Sequence, residues 1–276
     1  MNNTFNIKRF GYVFRKDLIE NLKRYLLLFL TLLGIMAIVI TFYSLVNNKD
    51  ANWKLNIELL TMLSFMFLAT GVWFASTFSL PMNSKLKRIS YIIFPASNLE
   101  KFLTRWIVIT IGFVMAFFAA LWIADALRVA ICSYVIPEID IHFLDLSKLV
   151  YPDKDYSLRE YMVPKAAFIF LISLYFLLQS LFLLGSTFWE KSSFIKIFTV
   201  CAVICTAFIL ICRWTIFFFY GAFSGFWNVI ASFELNQIMT AEQACIFSAS
   251  ILAVFTVAFW VLAYFRLKES EIINRL

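Results

Sequence analysis

Apolar positions in this sequence fall in long unbroken runs separated by short charged stretches. Strands of a membrane barrel alternate apolar and polar residues with a period of two, and that alternation does not organise these runs. In lipid a backbone must satisfy its own N–H and C=O groups, which a helix of about 20 apolar residues does within one segment. The pattern predicts an all-α polytopic membrane protein with six transmembrane helices, at 25–46, 57–80, 103–124, 166–189, 197–212 and 243–265. The fifth run is the shortest and is expected to draw residues from its flanks. The first is longer than the ~7–15-residue apolar core of a signal peptide, and no small-residue cleavage site follows it. It is read as a retained helix.

Four segments outside the runs carry patterns of their own. In residues 1–24, Phe10, Phe14, Leu18 and Leu22 recur at steps of four among Lys8, Arg9, Arg15, Lys16, Lys23 and Arg24. This predicts a basic amphipathic helix lying in the inner interface, after which the chain turns into the bilayer. Between the second and third spans, Pro95 ends whatever precedes it, and Ser97-Asn98-Leu99-Glu100 has the S-x-x-E form of a capping box. A helix is therefore expected from about Asn98 into the third span. Residues 125–165 form a long outer loop punctuated by Pro137, Pro152 and Pro164, in which 140–145 alternate like a short surface strand. Its His142, flanked by Asp140 and Asp145, matches no standard metal-site spacing, and no metal is expected. Residues 213–242 are aromatic without forming a clean span. Gly221 and Gly225, followed by Trp227, favour a re-entrant outer hairpin over a seventh span, which would move the basic C-terminus outside.

Composition removes the soluble alternatives. Apolar residues make up 62% of the 276 positions and charged ones 15%, with 33 phenylalanines; soluble domains hold about 45–50% and about 25%. Most of the 24 Lys and Arg fall on the side that holds the N-terminus, the 81–101 loop and the C-terminus, so both termini are expected in the cytoplasm. The net charge of +7 then faces the anionic inner leaflet, which makes membrane lipid, and not nucleic acid, its partner. Trp106 and Trp189 fit inner interface positions, and Trp53, Trp214 and Trp227 outer ones. Trp73 falls in mid-span and is expected to pack against protein.

Several chemistries are missing. The sequence has no G-x-x-x-x-G-K-[ST] loop, no H-E-x-x-H and no C-x-x-C. Cys201, Cys205 and Cys212 share a face of the fifth span, as small residues at a helix contact do; Cys132 and Cys245 lie near the outer surface, where a pairing stays open. None of the six spans carries a charge well inside it, which ion-driven transporters normally need. Gln179 and Ser180 in the fourth span read as helix glue. If the chain moves anything, its energy comes from elsewhere, and such walls suit a hydrophobic or amphipathic cargo. No convergent polar cluster supports an enzyme.

This layout resembles the permease subunits of type-2 ATP-binding-cassette exporters. Residues 94–101 (FPASNLEK) are similar to the L-P-x-S-R-x-E segment that those permeases carry between their second and third spans, with Phe94 in place of Leu and Asn98 in place of the basic residue. The resemblance implies a half-transporter in a bacterial inner membrane that pairs as a homo- or heterodimer. A separate ATP-binding subunit would dock on the helix formed by Pro95, Ser97, Asn98, Leu99, Glu100 and Lys101 and tilt the third span rigidly. Glu100→Lys would weaken that docking, and this chain itself would hold neither cofactor nor catalytic residue. The alternative is a non-transporting scaffold or sensor subunit that uses residues 125–165 to bind a partner outside.

Overall fold

The computed structural model describes residues 5–47, 52–80, 89, 91, 93–136, 142–149, 164–189, 192–220 and 241–273. Within them the chain forms α1 (Ile7–Val46), α2 (Asn52–Ala75), α3 (Asn98–Ile107), α4 (Phe113–Val135), α5 (Pro164–Phe188), α6 (Ser193–Tyr220) and α7 (Ala241–Ile273). A single π-helical turn, Val108–Gly112, joins α3 to α4, so the two make one rod. Among the described residues there is no strand. Six helices are long and apolar enough to cross a membrane.

Side-chain contacts fix the direction of each rod. Rings of Phe78 and Phe102 meet edge-on, Phe102 meets Tyr264, Phe182 meets Phe194, and the Arg266 guanidinium lies 4.8 Å over Phe188. One end of the bundle therefore gathers the last residues of α2, α5 and α7 with the first residues of α3 and α6. The start of α1 joins them through Arg9, which pairs with Glu100. At the opposite end Tyr43 donates to the Glu58 carboxylate across the α1–α2 connection. The start of α1 and the end of α7 therefore lie at the same end of the bundle. This end carries the Lys and Arg excess and is called the basic end below.

The packed interior is in two parts. Toward the far end, Met36, Ile40, Leu59, Leu63, Phe113, Phe117 and Tyr175 bring α1, α2, α4 and α5 together. Toward the basic end, Val72, Phe78, Phe102, Phe182, Leu183, Ile197 and Leu267 join α2, α3, α5, α6 and α7. Between them the Gln179 side chain, fully buried, donates to Thr110 Oγ1 at 2.9 Å and accepts from Trp260 Nε1 at 3.3 Å. One amide thus ties three rods at membrane depth, beside the π turn, as helix glue should.

Several sequence-based boundaries need correction. Residues 7–24 do not form a separate interfacial helix that turns at the bilayer: α1 runs unbroken for 40 residues. No proline or glycine stands near Arg24 to interrupt it, and its i→i−4 bonds simply continue. The helix of the third span ends later than 124, because the 125–135 stretch expected in a loop extends α4. The fifth draws residues from its flanks as expected and reaches 28, with 213–220 helical. Gly221, Gly225 and Trp227 lie outside the described residues. Residues 142–145 are irregular and lead into a 3-10 turn, Leu146–Leu149, instead of a strand. Trp73 is 44% exposed, so it packs against protein only in part. Cys205 is exposed, so it lines no helix contact, and Cys132 and Cys245 are both free thiols.

Candidate functional site

The start of α3 is built by the local sequence. Pro95 keeps the preceding residue out of the helical region, and Ser97 is extended, with φ −70° and ψ 153°. Its hydroxyl accepts the Glu100 N–H at 3.3 Å, while Glu100 Oε2 accepts the Ser97 N–H at 3.0 Å. This is the capping box that the S-x-x-E spacing predicts. The helix begins at Asn98, as expected.

The Glu100 carboxylate then does something that the spacing does not announce. It is fully buried. Oε1 accepts the backbone N–H of Asn6 and one terminal Arg9 nitrogen, both at 2.8 Å, and Oε2 accepts Arg9 Nε at 2.7 Å. The fork of Arg9 grips both oxygens, a bidentate geometry that a lysine cannot reproduce. Burial alone would raise the carboxyl's pKa, but the hydrogen bonds from Arg9, Asn6 and Ser97 outweigh it and hold Glu100 down at about 2. The hydrogen bond to Glu100 in turn pushes the Arg9 guanidinium above its ordinary value. Asn6 itself caps α1 by accepting the Lys8 N–H at 3.0 Å. One carboxylate therefore closes the first turns of two helices.

Two turns further along, a second ion pair repeats the link. Arg105 of α3 is buried and faces Asp17 of α1, with Nε 3.8 Å from Asp17 Oδ1. Asp17 also accepts from the Tyr25 hydroxyl at 2.9 Å and from Asn21 Nδ2 at 3.1 Å. Lys16 sits 4.0 Å over the Phe94 ring, and Lys101, itself buried, 5.0 Å over Tyr91. The basic half of α1 thus turns a polar face, Arg9, Lys16, Asp17 and Asn21, toward α3. This alters the expected amphipathic reading. A step of four residues advances about 40° around a helix, so the Phe10-Phe14-Leu18-Leu22 stripe drifts. Phe10 and Phe14 stay half-buried against one another, whereas Leu18 and Leu22 are exposed, as is Arg15.

Of the residues expected to grip an ATPase, only some face outward. Pro95 and Leu99 are exposed, Ser97 and Asn98 half-buried, and Glu100 and Lys101 buried. Ile93 is 72% exposed beside them. A contact from Glu100 to another protein is therefore excluded by geometry, and the outward surface is apolar: Ile93, Pro95 and Leu99. Sequence reasoning missed Asn6, Asp17 and Arg105 as members of this junction. The available signal was a pair of acidic residues, Asp17 and Glu20, set among the lysines and arginines of a basic stretch.

The far end has a junction of similar chemistry. Arg128, 1% exposed, donates from Nε to Asp125 Oδ1 at 2.7 Å and from a terminal nitrogen to the His142 carbonyl at 2.7 Å. Asp125 Oδ2 accepts the Leu144 N–H at 2.8 Å. The histidine contributes its backbone here, while its side chain is exposed. Leu121, Trp122, Ala126, Phe143, Leu144 and Leu146 line a half-open cavity of about 490 Å³ beside this pair. No family model, curated protein or solved structure matches the chain.

Proposed function

We propose that this chain is the membrane-spanning permease subunit of an ATP-binding-cassette transporter, moving a hydrophobic or amphipathic substrate with ATP hydrolysed on a separate subunit. The observation that carries the reading is the junction of α1 and α3. Two ion pairs hold the start of the third rod, while Ile93, Pro95 and Leu99 leave it uncovered and apolar on the outside. A helix end built this way transmits force and offers a surface on which a cytosolic motor can press. The apolar interior supports the same reading, since the described mid-span polar contacts of Gln179 are neutral and bind helices to one another.

The ATPase would bear on Ile93, Pro95 and Leu99, and Glu100 would act from beneath by holding the helix to α1. Rocking of the permease would then carry α1 and α3 as one body, a two-state motion without bond chemistry. Two copies, or this chain and a related one, would enclose the pathway. The test is purification of the tagged chain from its native membrane in mild detergent. A Walker-A-bearing subunit should accompany it, and Leu99→Asp should reduce that subunit's yield while the chain's own folding is kept. A chain that purifies alone, with nucleotide leaving its behaviour unchanged, would sink the proposal.

A scaffold or sensor role has one observation in its favour, the buried Asp125–Arg128 pair that anchors 142–144 to α4. That reading requires loss of an external partner on Arg128→Ala with no nucleotide dependence at all.

A further inference from the structure

The α1–α3 junction leaves one set of charges without matching acceptors. Arg105 is 6% exposed, and its Nε has no hydrogen-bond partner among the described residues. The Asp17 carboxylate oxygen facing it is 3.8 Å away, and a terminal nitrogen reaches the Tyr25 hydroxyl only at 3.4 Å. Asp17 is already engaged by Tyr25 and Asn21. Beside this stands Arg24, half-buried, which forms no hydrogen bond or ion pair with the described residues. Arg24 lies seven residues, two helical turns, beyond Asp17 on the same face of α1 and directly before Tyr25, the residue that Arg105 reaches. Two arginines thus share a single carboxylate that has other partners. A buried N–H without an acceptor costs about 1–3 kcal/mol, so a ligand that completed this one would stabilise the protein.

We propose that a phosphate group binds between Arg24 and Arg105, with its oxygens accepting from Arg105 Nε and from the Arg24 guanidinium. Guanidinium forks match phosphate oxygens in pairs, and a doubly cationic corner holding one carboxylate retains the net positive charge to attract the anion. Phosphate could arrive on a phospholipid headgroup or as a free ion. Position favours the lipid. Arg24 immediately precedes the long apolar run, and Leu27 and Leu28, three and four residues on and on the same side of α1, are 64% exposed and half-buried. An acyl chain would lie along them with its headgroup at the height of the arginines, as in basic inter-helix pockets on the cytoplasmic side of membranes.

This site stands apart from the permease proposal, and its test needs no ATPase. The full chain in a zwitterionic detergent is titrated with phosphatidylglycerol, with phosphatidylcholine and with inorganic phosphate, and binding is read from the shift of the thermal unfolding midpoint. Phosphatidylglycerol should stabilise the protein and phosphatidylcholine much less. Arg24→Gln should weaken phosphatidylglycerol binding about tenfold, the loss of one charge-assisted hydrogen bond. Lys23→Gln, which removes an exposed charge one residue away, should change it less than about twofold. Arg24→Lys should recover only part of the affinity, because an ammonium lacks the fork. Equal stabilisation by inorganic phosphate would assign the site to a free anion instead of a lipid. Equal effects of Arg24→Gln and Lys23→Gln would overturn the proposal in favour of diffuse surface attraction, and so would an Arg24→Gln protein that binds as tightly as the wild type. Arg105→Lys, which keeps the charge opposite Asp17, provides the second variant and should weaken binding to a similar degree.

Discussion

A buried carboxylate that accepts four hydrogen bonds has no capacity left for anything else, and Glu100 is in that state. Its influence on another protein is therefore indirect, through the position of α3. The pKa sign gives a direct check. A carboxyl held at about 2 in the folded chain and near 4.5 when unfolded contributes stability that is complete above pH 4.5 and drains away as the pH falls toward 2. The detergent-solubilised wild type should lose thermal stability across that window, and Glu100→Gln should start lower and show a flatter profile there. A Glu100→Gln protein with the wild-type acid profile would mean that another group is titrating. Ser97→Ala should cost about 1 kcal/mol by removing the other half of the cap, and Ser97→Thr should cost much less. At this scale the sequence was legible only where partners are near in the chain. Ser97 and Glu100 stand three residues apart, and their spacing announces the cap. Arg9 and Glu100 stand 91 apart, and local patterning says nothing about such a pair. Asp125 and Arg128 were equally visible as residues, but with the span drawn to end at 124 they read as loop charges, when they are a buried pair within α4.

Between helices, close approach depends on a few small residues. A Cβ on Gly71 of α2 would lie 2.6 Å from the Tyr175 ring and 3.0 Å from the Phe113 ring, inside a packed cluster where neither ring has space to withdraw. Gly71→Ala should destabilise the protein by roughly 1–3 kcal/mol, the range for overfilling a core, in thermal or denaturant unfolding in detergent. Tyr175 offers the opposite case. Its hydroxyl is buried with no hydrogen-bond partner among the described residues, so Tyr175→Phe removes an unsatisfied group and should be neutral or stabilising. A marked loss on Tyr175→Phe would reveal a hydrogen bond at that oxygen. The runs of apolar residues told where helices are, because burial in lipid requires unbroken apolarity. They did not tell where helices stop, because a helix continues past the bilayer wherever nothing breaks it. α1, α4, α6 and α7 all overrun their predicted spans for this reason. Helix packing was legible in Gln179, a lone amide within an apolar run, and illegible in Trp73, since an apolar ring on a membrane helix can face protein or lipid equally well.

For the molecule as a whole, lipid is the largest partner. Beyond its first turns the described side chains of α6 are exposed, with Phe198, Val203, Ile204, Phe208 and Ile211 each more than half exposed, and only a hydrocarbon surrounding or another apolar chain makes such a helix stable. That the rods run up and down an even number of times follows from the ring and ion-pair contacts; which end faces the cytoplasm follows from charge alone. The two statements can be separated by one labelling experiment. Tyr12 at the basic end is 70% exposed, and Tyr134 near the end of α4 is 90% exposed at the far end. Neither takes part in the ion pairs or caps described above, so cysteine at either site should leave the fold unchanged. In intact cells a membrane-impermeant maleimide should modify Tyr134→Cys and leave Tyr12→Cys untouched, and in inverted vesicles the reactivity should exchange. If both sites react from one face, the even-crossing bundle is wrong. If they exchange in the reverse sense, the bundle stands but the basic end faces outward. The apolar surface of Ile93, Pro95 and Leu99 would then lie out of reach of any cytosolic ATPase, and the permease reading would fail on geometry alone.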